Sequence, residues 1–123
     1  MFRSIARAGD LIFVIGMIGR DQTGTVAAGV ADQTLHALKR IEALLETQGV
    51  GREAIVRIRF FLVDIADWPT VMPLIEDFFS DDVPPAVALA VSALAEPSMR
   101  IEIEVEASTT TESVAPHHRA DER

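Results

Sequence analysis

The sequence predicts an α+β fold in which a mixed sheet is covered on one face by two helices, with the elements in the order ββαβαββ. Three observations support this prediction. Apolar residues recur at helical spacing in two segments, and strand-like apolar patterns fill five others. The chain of 123 residues is long enough for one hydrophobic core but not for two. We therefore expect a single domain over residues 1–108.

The chain begins with a predicted β-hairpin. Residues 2–8 and 11–17 flank the turn "AGD", and the second segment, "LIFVIGM", is rich in strand-forming residues. Gly16 interrupts this second strand. A glycine inside a strand is typical of a β-bulge or of a place where another group approaches the backbone closely.

A long amphipathic helix follows, from about Val30 to Gln48. Gly49 is a natural stop, because glycine is the residue most often found just after a helix. The apolar face is formed by residues three or four positions apart: Leu35, Leu38, Ile41, Leu44 and Leu45.

The next segment predicts a strand and a second helix. The run "AIVRIRFFLVDI" has the period of two that is typical of a strand, and Arg57 and Arg59 make one of its faces partly basic. Asp67 is expected to cap the second helix, and Pro69 suits its first turn.

The last two predicted strands differ in polarity. Residues 86–94 are apolar on both faces, whereas "RIEIEVEA" alternates apolar residues with three glutamates from Glu102 to Glu106. We expect this acidic face to lie beside the basic face that carries Arg57 and Arg59. Opposite charges on neighbouring strands contribute about 0.2–1 kcal/mol per pair.

The strand predicted at residues 86–94 implies a second covering layer. Two helices cover only one face of a sheet, and burying a medium apolar side chain is worth roughly 1.5–3 kcal/mol. The mean hydropathy of +0.24 also indicates more apolar surface than a small monomer hides. We therefore expect another subunit on the second face.

Composition argues against several classes of protein. The chain has no cysteine, which excludes disulfides and thiolate metal sites. A net charge of −8, from 11 basic and 19 acidic residues, disfavours nucleic acid as a partner. No stretch approaches the ~18 apolar residues of a membrane span. The opening residues lack the uninterrupted apolar core of a secretory signal, so we expect a cytoplasmic protein.

Residues 109–123 show no apolar periodicity and predict a disordered tail. His117 and His118 lie in this tail. Two adjacent histidines without a third ligand make a poor metal site, and we expect neither a metal nor another cofactor.

Several motifs together resemble the YjgF/RidA family. "IGMIGRDQTG" is similar to its Ser-Gly-Gln followed by a loop that ends in Thr-Gly, and "IEIEVEA" is similar to its closing strand. "DQTLHALKRIEALLETQG" resembles its first helix, and "VRIRFFLVDIADWPTVMPLIEDFF" its third strand and second helix. The resemblance covers residues 2–107. It implies a chorismate-mutase-like fold and a homotrimer.

The resemblance also implies a pocket between subunits. Deaminating members of the family hydrolyse enamines and imines derived from amino acids, such as 2-aminoacrylate, to a keto acid and ammonia. The family's water-positioning glutamate falls on Glu102. Its arginine, which grips the substrate carboxylate, falls on Ala86, next to Val87. Other pocket positions fall on Phe2, Ile15, Gly16, Met17 and Met72.

The sequence departs from the family at the arginine. "PPAVALAVSAL" contains no basic residue, and a lost charge-assisted hydrogen bond removes roughly 1.5–3 kcal/mol of substrate binding. Deamination of the usual 2-imino acids is therefore not expected. Arg20 is a candidate replacement, although a solvated charge is the more frequent role of a loop arginine. Likewise, Glu102 is more often a charge paired with Arg57 or Arg59 than a catalytic group.

Three functions stay open. The first is hydrolysis, through Glu102, of an enamine or imine that is uncharged or anchored differently. The second is a non-catalytic, ligand-binding or regulatory trimer. Its apolar intersubunit pocket would be formed by Phe2, Ile15, Met17, Ala86 and Val87. The third is an endoribonuclease, a role attributed to some relatives, which the acidic charge disfavours.

Overall fold

The computed structural model describes residues 2–110. The predicted order of elements is confirmed, with short 3₁₀ turns at Arg52–Ala54 and Ile65–Asp67. Residues 109 and 110 form a turn, in which the Thr109 amide donates to the Asp10 carbonyl. The rest of the predicted tail, with His117 and His118, lies outside the described residues. The main elements are β1 (Ile5–Ala8), β2 (Leu11–Ile18), α1 (Val30–Glu46), β3 (Ile55–Leu62), α2 (Trp68–Phe78), β4 (Ala86–Ala90) and β5 (Ile101–Ser108).

The five strands form one mixed sheet in the order β1-β2-β5-β3-β4. All neighbours are antiparallel except β3 and β4, which are parallel and are joined through α2. The predicted adjacency of the basic and acidic strands is confirmed. In the register of β3 and β5, Arg57 lies opposite Glu106 and Arg59 lies opposite Glu104.

Both helices pack on one face of this sheet, as predicted. The core lies between the helices and the sheet, where Ile41 of α1, Phe60 of β3 and Ile103 of β5 are fully buried. No helix within residues 2–110 is long and apolar enough to cross a membrane. Within residues 2–110, no helix or strand covers the opposite face of the sheet.

Gly16 forms a β-bulge, one of the two predicted alternatives. The register of β2 against β5 shifts between Val14 and Met17, and Gly16 has φ +71°, which favours glycine. Residues 15 and 17 would share a face of a regular strand. The bulge places them on opposite faces, so that Ile15 is 50% exposed while Met17 is 1% exposed in the core.

The second helix begins at Trp68, and Pro69 lies in its first turn as predicted. The prediction that Asp67 caps this helix is wrong. Its side chain makes no capping hydrogen bond and instead accepts from the guanidinium of Arg100, at 2.6 and 3.0 Å. Asp64 caps the preceding 3₁₀ turn by accepting from the Ala66 amide. Arg100 draws the Asp67 carboxylate away because it offers two charge-assisted hydrogen bonds.

The predicted strand over residues 86–94 is shorter than expected. β4 ends at Ala90, and the Val91 amide donates to the carbonyl of Leu62, the last residue of β3. Because β3 ends at Leu62, β4 has no strand to pair with beyond that residue. β4 is therefore a five-residue edge strand.

Candidate functional site

The face of the sheet turned away from the helices is the candidate functional surface, and we call it the open face. Four of its apolar side chains, Leu11, Ile15, Val87 and Leu89, are between 42% and 50% exposed. A cleft of about 210 Å³ lies on this face. It is lined by Phe13, Ile15, Arg57, Arg59, Glu104, Val105 and Glu106.

The charges beside this cleft neutralise one another. Arg59 pairs with Glu104, and its guanidinium also lies 3.6 Å from Glu106. Arg57 Nε lies 2.8 Å from Glu106 Oε2. Both arginines of the open face are therefore engaged by carboxylates of β5.

Glu102 stands apart from this network. The strand register places it opposite Phe61 of β3 and Ile18 of β2, so the expectation that it faces Arg57 or Arg59 is wrong. Among the contacts within residues 2–110, Glu102 makes neither a hydrogen bond nor an ion pair. Partial burial, with a smaller contribution from the charge of Glu104, raises the pKa of its carboxyl group above the ordinary glutamate value. A carboxyl group with a raised pKa suits proton transfer.

The position of the family's arginine is apolar in three dimensions as well. Ala86 pairs in register with Ile58, whose side chain lies in the core, so Ala86 is on the helix side of the sheet. Val87 pairs with Arg59 and is the residue that lies on the open face. Of these two expected pocket residues, the structure therefore places only Val87 on the open face. Neither residue can bind a carboxylate.

Arg20 lies in a different part of the molecule. Its guanidinium pairs with Glu96 and donates to the Gly24 carbonyl at 2.9 Å. Its side chain is partly buried and lines a cleft with His36 of α1. Arg20 is therefore a paired loop residue and not the solvated charge that the sequence suggested. This geometry gives it no contact with the open face.

The other expected pocket residues divide between the two sides of the sheet. Gly16 and Ile15 lie at the bulge, and Ile15 lines the open-face cleft. Met17 is buried in the core, so its assignment to the pocket is corrected. Met72 is exposed on α2, across the sheet from the open face, and Phe2 is 98% exposed ahead of β1. The structure thus brings Ile15, Val87 and Glu102 onto one face.

Sequence reasoning overlooked three aromatic or aliphatic residues of the open face. Phe13 lines the cleft, Phe61 lies opposite Glu102, and Leu89 is exposed on β4. The signal was present in the period of two that relates Phe13 to Leu11 and Ile15. No group of three potential metal ligands occurs within the described part of the chain.

Comparison with known proteins places this geometry in a wider context. The family described as Endoribonuclease L-PSP matches residues 2–109. A human 2-iminobutanoate/2-iminopropanoate deaminase is 35% identical over 95 residues, which cover 76% of this chain and 69% of the relative. A RutC family protein of Pyrococcus horikoshii is 32% identical over 100 residues, covering 80% and 79%. The crystal structure of the E. coli YjgF gene product superposes with a TM-score of 0.84 and 29% identity, covering 89% of each chain.

Proposed function

Because the chain belongs to the YjgF/RidA family, described as Endoribonuclease L-PSP, we propose that it hydrolyses imines or enamines that lack a carboxylate. The reaction takes place between subunits of a homotrimer, on the open face. The human relative is named for the deamination of 2-iminobutanoate and 2-iminopropanoate, which supports the reaction type. The substrate differs because this chain lacks the arginine that the reaction on 2-imino acids uses.

One observation carries the proposal: Glu102 is a partly buried carboxyl group with apolar cross-strand neighbours and a raised pKa. In its ionised form it accepts a proton from water while the water oxygen bonds to the imine carbon. The resulting carboxylic acid gives this proton to the nitrogen, which yields a neutral intermediate with a hydroxyl and an amino group on one carbon. The Glu102 carboxylate then takes the hydroxyl proton as the carbonyl forms, and passes it to the nitrogen as the C–N bond breaks. The products are a carbonyl compound and ammonia, and Glu102 returns to its starting form.

The charges of the open face favour an uncharged substrate. Arg57 and Arg59 are held by Glu104 and Glu106, and Glu102 adds a further negative charge when it is ionised. A substrate carboxylate would have to displace one of these glutamates from its arginine. An uncharged imine does not compete with the glutamates for the arginines, and it can contact apolar side chains such as Val87.

The exposed apolar side chains of the open face support assembly. Leu11, Ile15, Val87 and Leu89 expose nearly half of their surface on one side of the sheet, which is unusual for a small monomer. Covering them with a second copy buries them in the way that the sequence predicted. The small molecule then binds in the cleft between the subunits.

The proposal predicts faster release of ammonia from an uncharged imine. A flavin amine oxidase acting on phenethylamine generates such an imine, and ammonia is followed after the oxidase has been removed or quenched. We expect the protein to accelerate release above the spontaneous rate.

Sedimentation equilibrium should give three times the chain mass of 13.4 kDa. A trimer that leaves the rate unchanged would indicate the binding function instead, and a monomer would contradict a site between subunits.

A further inference from the structure

A second cleft lies on the other side of the sheet, between α1 and the loop that follows β2. We call it the α1 cleft. Its volume is about 570 Å³, within the range of roughly 300–1,000 Å³ that is usual for small-molecule sites. Seven of its eight lining residues carry a polar or charged side chain: Arg20, Asp21, Gln22, Thr23, His36, Lys39, Arg40 and, as the apolar member, Ala43.

Two cations of the α1 cleft, Lys39 and Arg40, lack the acidic partner that most arginines of the described chain have; outside the cleft, Arg3 and Arg7 lack one as well. Arg52, Arg57, Arg59 and Arg100 all pair with carboxylates. Within the described residues, Lys39 and Arg40 form no ion pair. These two neighbours on α1 are both exposed, and His36 lies three and four positions before them, on the same side of the helix. Although the chain has a net charge of −8, the positive charges of Lys39 and Arg40 therefore lie together in one cleft.

The loop that forms the opposite wall is held in place by its own hydrogen bonds. Asp21 Oδ1 accepts from the amides of Thr23 and Thr25, at 2.8 and 3.1 Å, and from the Thr23 hydroxyl at 2.6 Å. The Asp21 amide donates to the Thr25 carbonyl at 2.8 Å. One oxygen of the Asp21 carboxylate is thus occupied by donors of its own loop, and Glu96 is paired with Arg20.

Arg40 is oriented by a backbone group and not by an acid. Its Nη1 donates to the Ile18 carbonyl at 3.3 Å, which leaves the other N–H donors of the guanidinium for a ligand. A planar guanidinium binds phosphate or carboxylate oxygens through two parallel hydrogen bonds, and a lysine adds a mobile point charge. Two such donors suit a ligand that carries more than one negative charge.

From this geometry we propose that the α1 cleft binds a small organic anion with two or more negative charges, carried by phosphate or carboxylate groups. The site is independent of imine hydrolysis, because α1 packs on the face of the sheet opposite the open face. Assembly through the open face leaves α1 on the outside of the oligomer. The α1 cleft is thus accessible whether or not the protein is an enzyme.

The test is calorimetric titration of the full chain with pyrophosphate and, separately, with citrate. We expect saturable binding of at least one of them. The double variant Lys39→Gln/Arg40→Gln should bind roughly tenfold to hundredfold more weakly, as the loss of two charge-assisted contacts implies. The matched control is Arg3→Gln/Arg7→Gln, which removes the same charge far along the chain and should leave the dissociation constant within about twofold.

Two further titrations separate binding in the α1 cleft from a disturbed fold and from binding of RNA. Lys39→Gln alone removes no hydrogen bond seen in the structure, so a weaker binding in that variant cannot be attributed to a disturbed fold. A short single-stranded RNA is titrated in parallel. Pyrophosphate or citrate binding that is lost in the cleft variants alone supports the site. Absence of saturable binding, an equal loss in the Arg3 and Arg7 control, or binding of RNA alone would each overturn it.

Discussion

Replacing Glu102 with glutamine is expected to lower the rate of imine hydrolysis by about 10²–10⁴-fold, the usual contribution of a positioned acid or base. Glutamine preserves the shape of the side chain but can neither take a proton from water nor give one to the departing nitrogen. Glu102 makes no hydrogen bond or ion pair within residues 2–110 that the change would break, so the fold should be retained. Initial rates of ammonia release from the phenethylamine imine measure the effect.

The pH dependence of the rate should also show that Glu102 acts as the proton acceptor. The ionised form of Glu102 is the proton acceptor, and partial burial raises its pKa above the ordinary glutamate value. The rate should therefore increase with pH through a midpoint above that ordinary value. This increase of the rate with pH should be absent from the Glu102→Gln variant.

The stability of the Glu102→Gln variant should follow from the same raised pKa of Glu102. A raised pKa means that the folded state holds the proton more tightly than the unfolded state, so folding is favoured below the ordinary pKa. That contribution is lost as pH rises through the folded-state value. Glu102→Gln removes the cost of the buried charge. It should therefore be at least as stable as the parent protein at neutral pH, as judged by its urea midpoint.

The matched control for this prediction is Glu106→Gln. Glu106 is on the same face of β5 but lies 2.8 Å from Arg57, so its role is an ion pair. Its replacement should change the rate far less than replacement of Glu102. Equal losses in the two variants, or full activity in Glu102→Gln, would remove Glu102 from the mechanism.

The second large effect is expected at Gly19, where the chain passes directly against the start of α1. An added Cβ would lie 2.2 Å from Gln33 Cα and 2.4 Å from the Gln33 carbonyl oxygen. These are backbone atoms, so relief requires that α1 move. Gly19→Ala should lower the free energy of unfolding by about 1–3 kcal/mol or more, as overpacking does. Urea denaturation at one fixed protein concentration measures the change.

The cost at Gly19 extends beyond the contact itself. Gln33 is almost fully buried, and its side chain donates to the carbonyls of Ala27 and Ser98, both at 2.9 Å. It also accepts from the Arg100 amide at 2.8 Å. Displacing Gln33 therefore disturbs the segment that leads directly into β5.

Gly51→Ala is the matched control for Gly19→Ala. Gly51 has φ −118°, which any residue adopts, and the nearest atom to an added Cβ is Glu53 Oε2 at 2.7 Å. That carboxylate is the end of a flexible side chain and can swing away. The control should change stability by less than about 0.5 kcal/mol. A similar loss at both glycines would contradict the explanation for Gly19.

Much of the fold followed from local patterns in the sequence. The helical spacing of apolar residues located α1, and the alternating charges predicted that β3 and β5 are neighbours. The register of those strands could not be predicted in the same way. It places Glu102 opposite Phe61, two residues beyond Arg59, and a shift by two residues would have given the ion pair that the sequence suggested.

The candidate site was harder to predict because small irregularities decide which side chains face outwards. The bulge at Gly16 exposes Ile15 and buries Met17, although both belong to one strand. The parallel pairing of β3 with β4 places Val87, and not Ala86, on the open face. A sequence pattern of period two cannot show either effect, since each depends on the neighbouring strand.

The most direct test of the central claim compares two imines that differ only in a carboxylate. One is the imine of phenethylamine, and the other is the 2-imino acid that an L-amino-acid oxidase forms from phenylalanine. The kcat/KM of the protein is measured for both, with Glu102→Gln as the blank. We predict a higher value for the uncharged imine, because both arginines of the open face are already engaged by glutamates. A clear preference for the 2-imino acid would contradict the account.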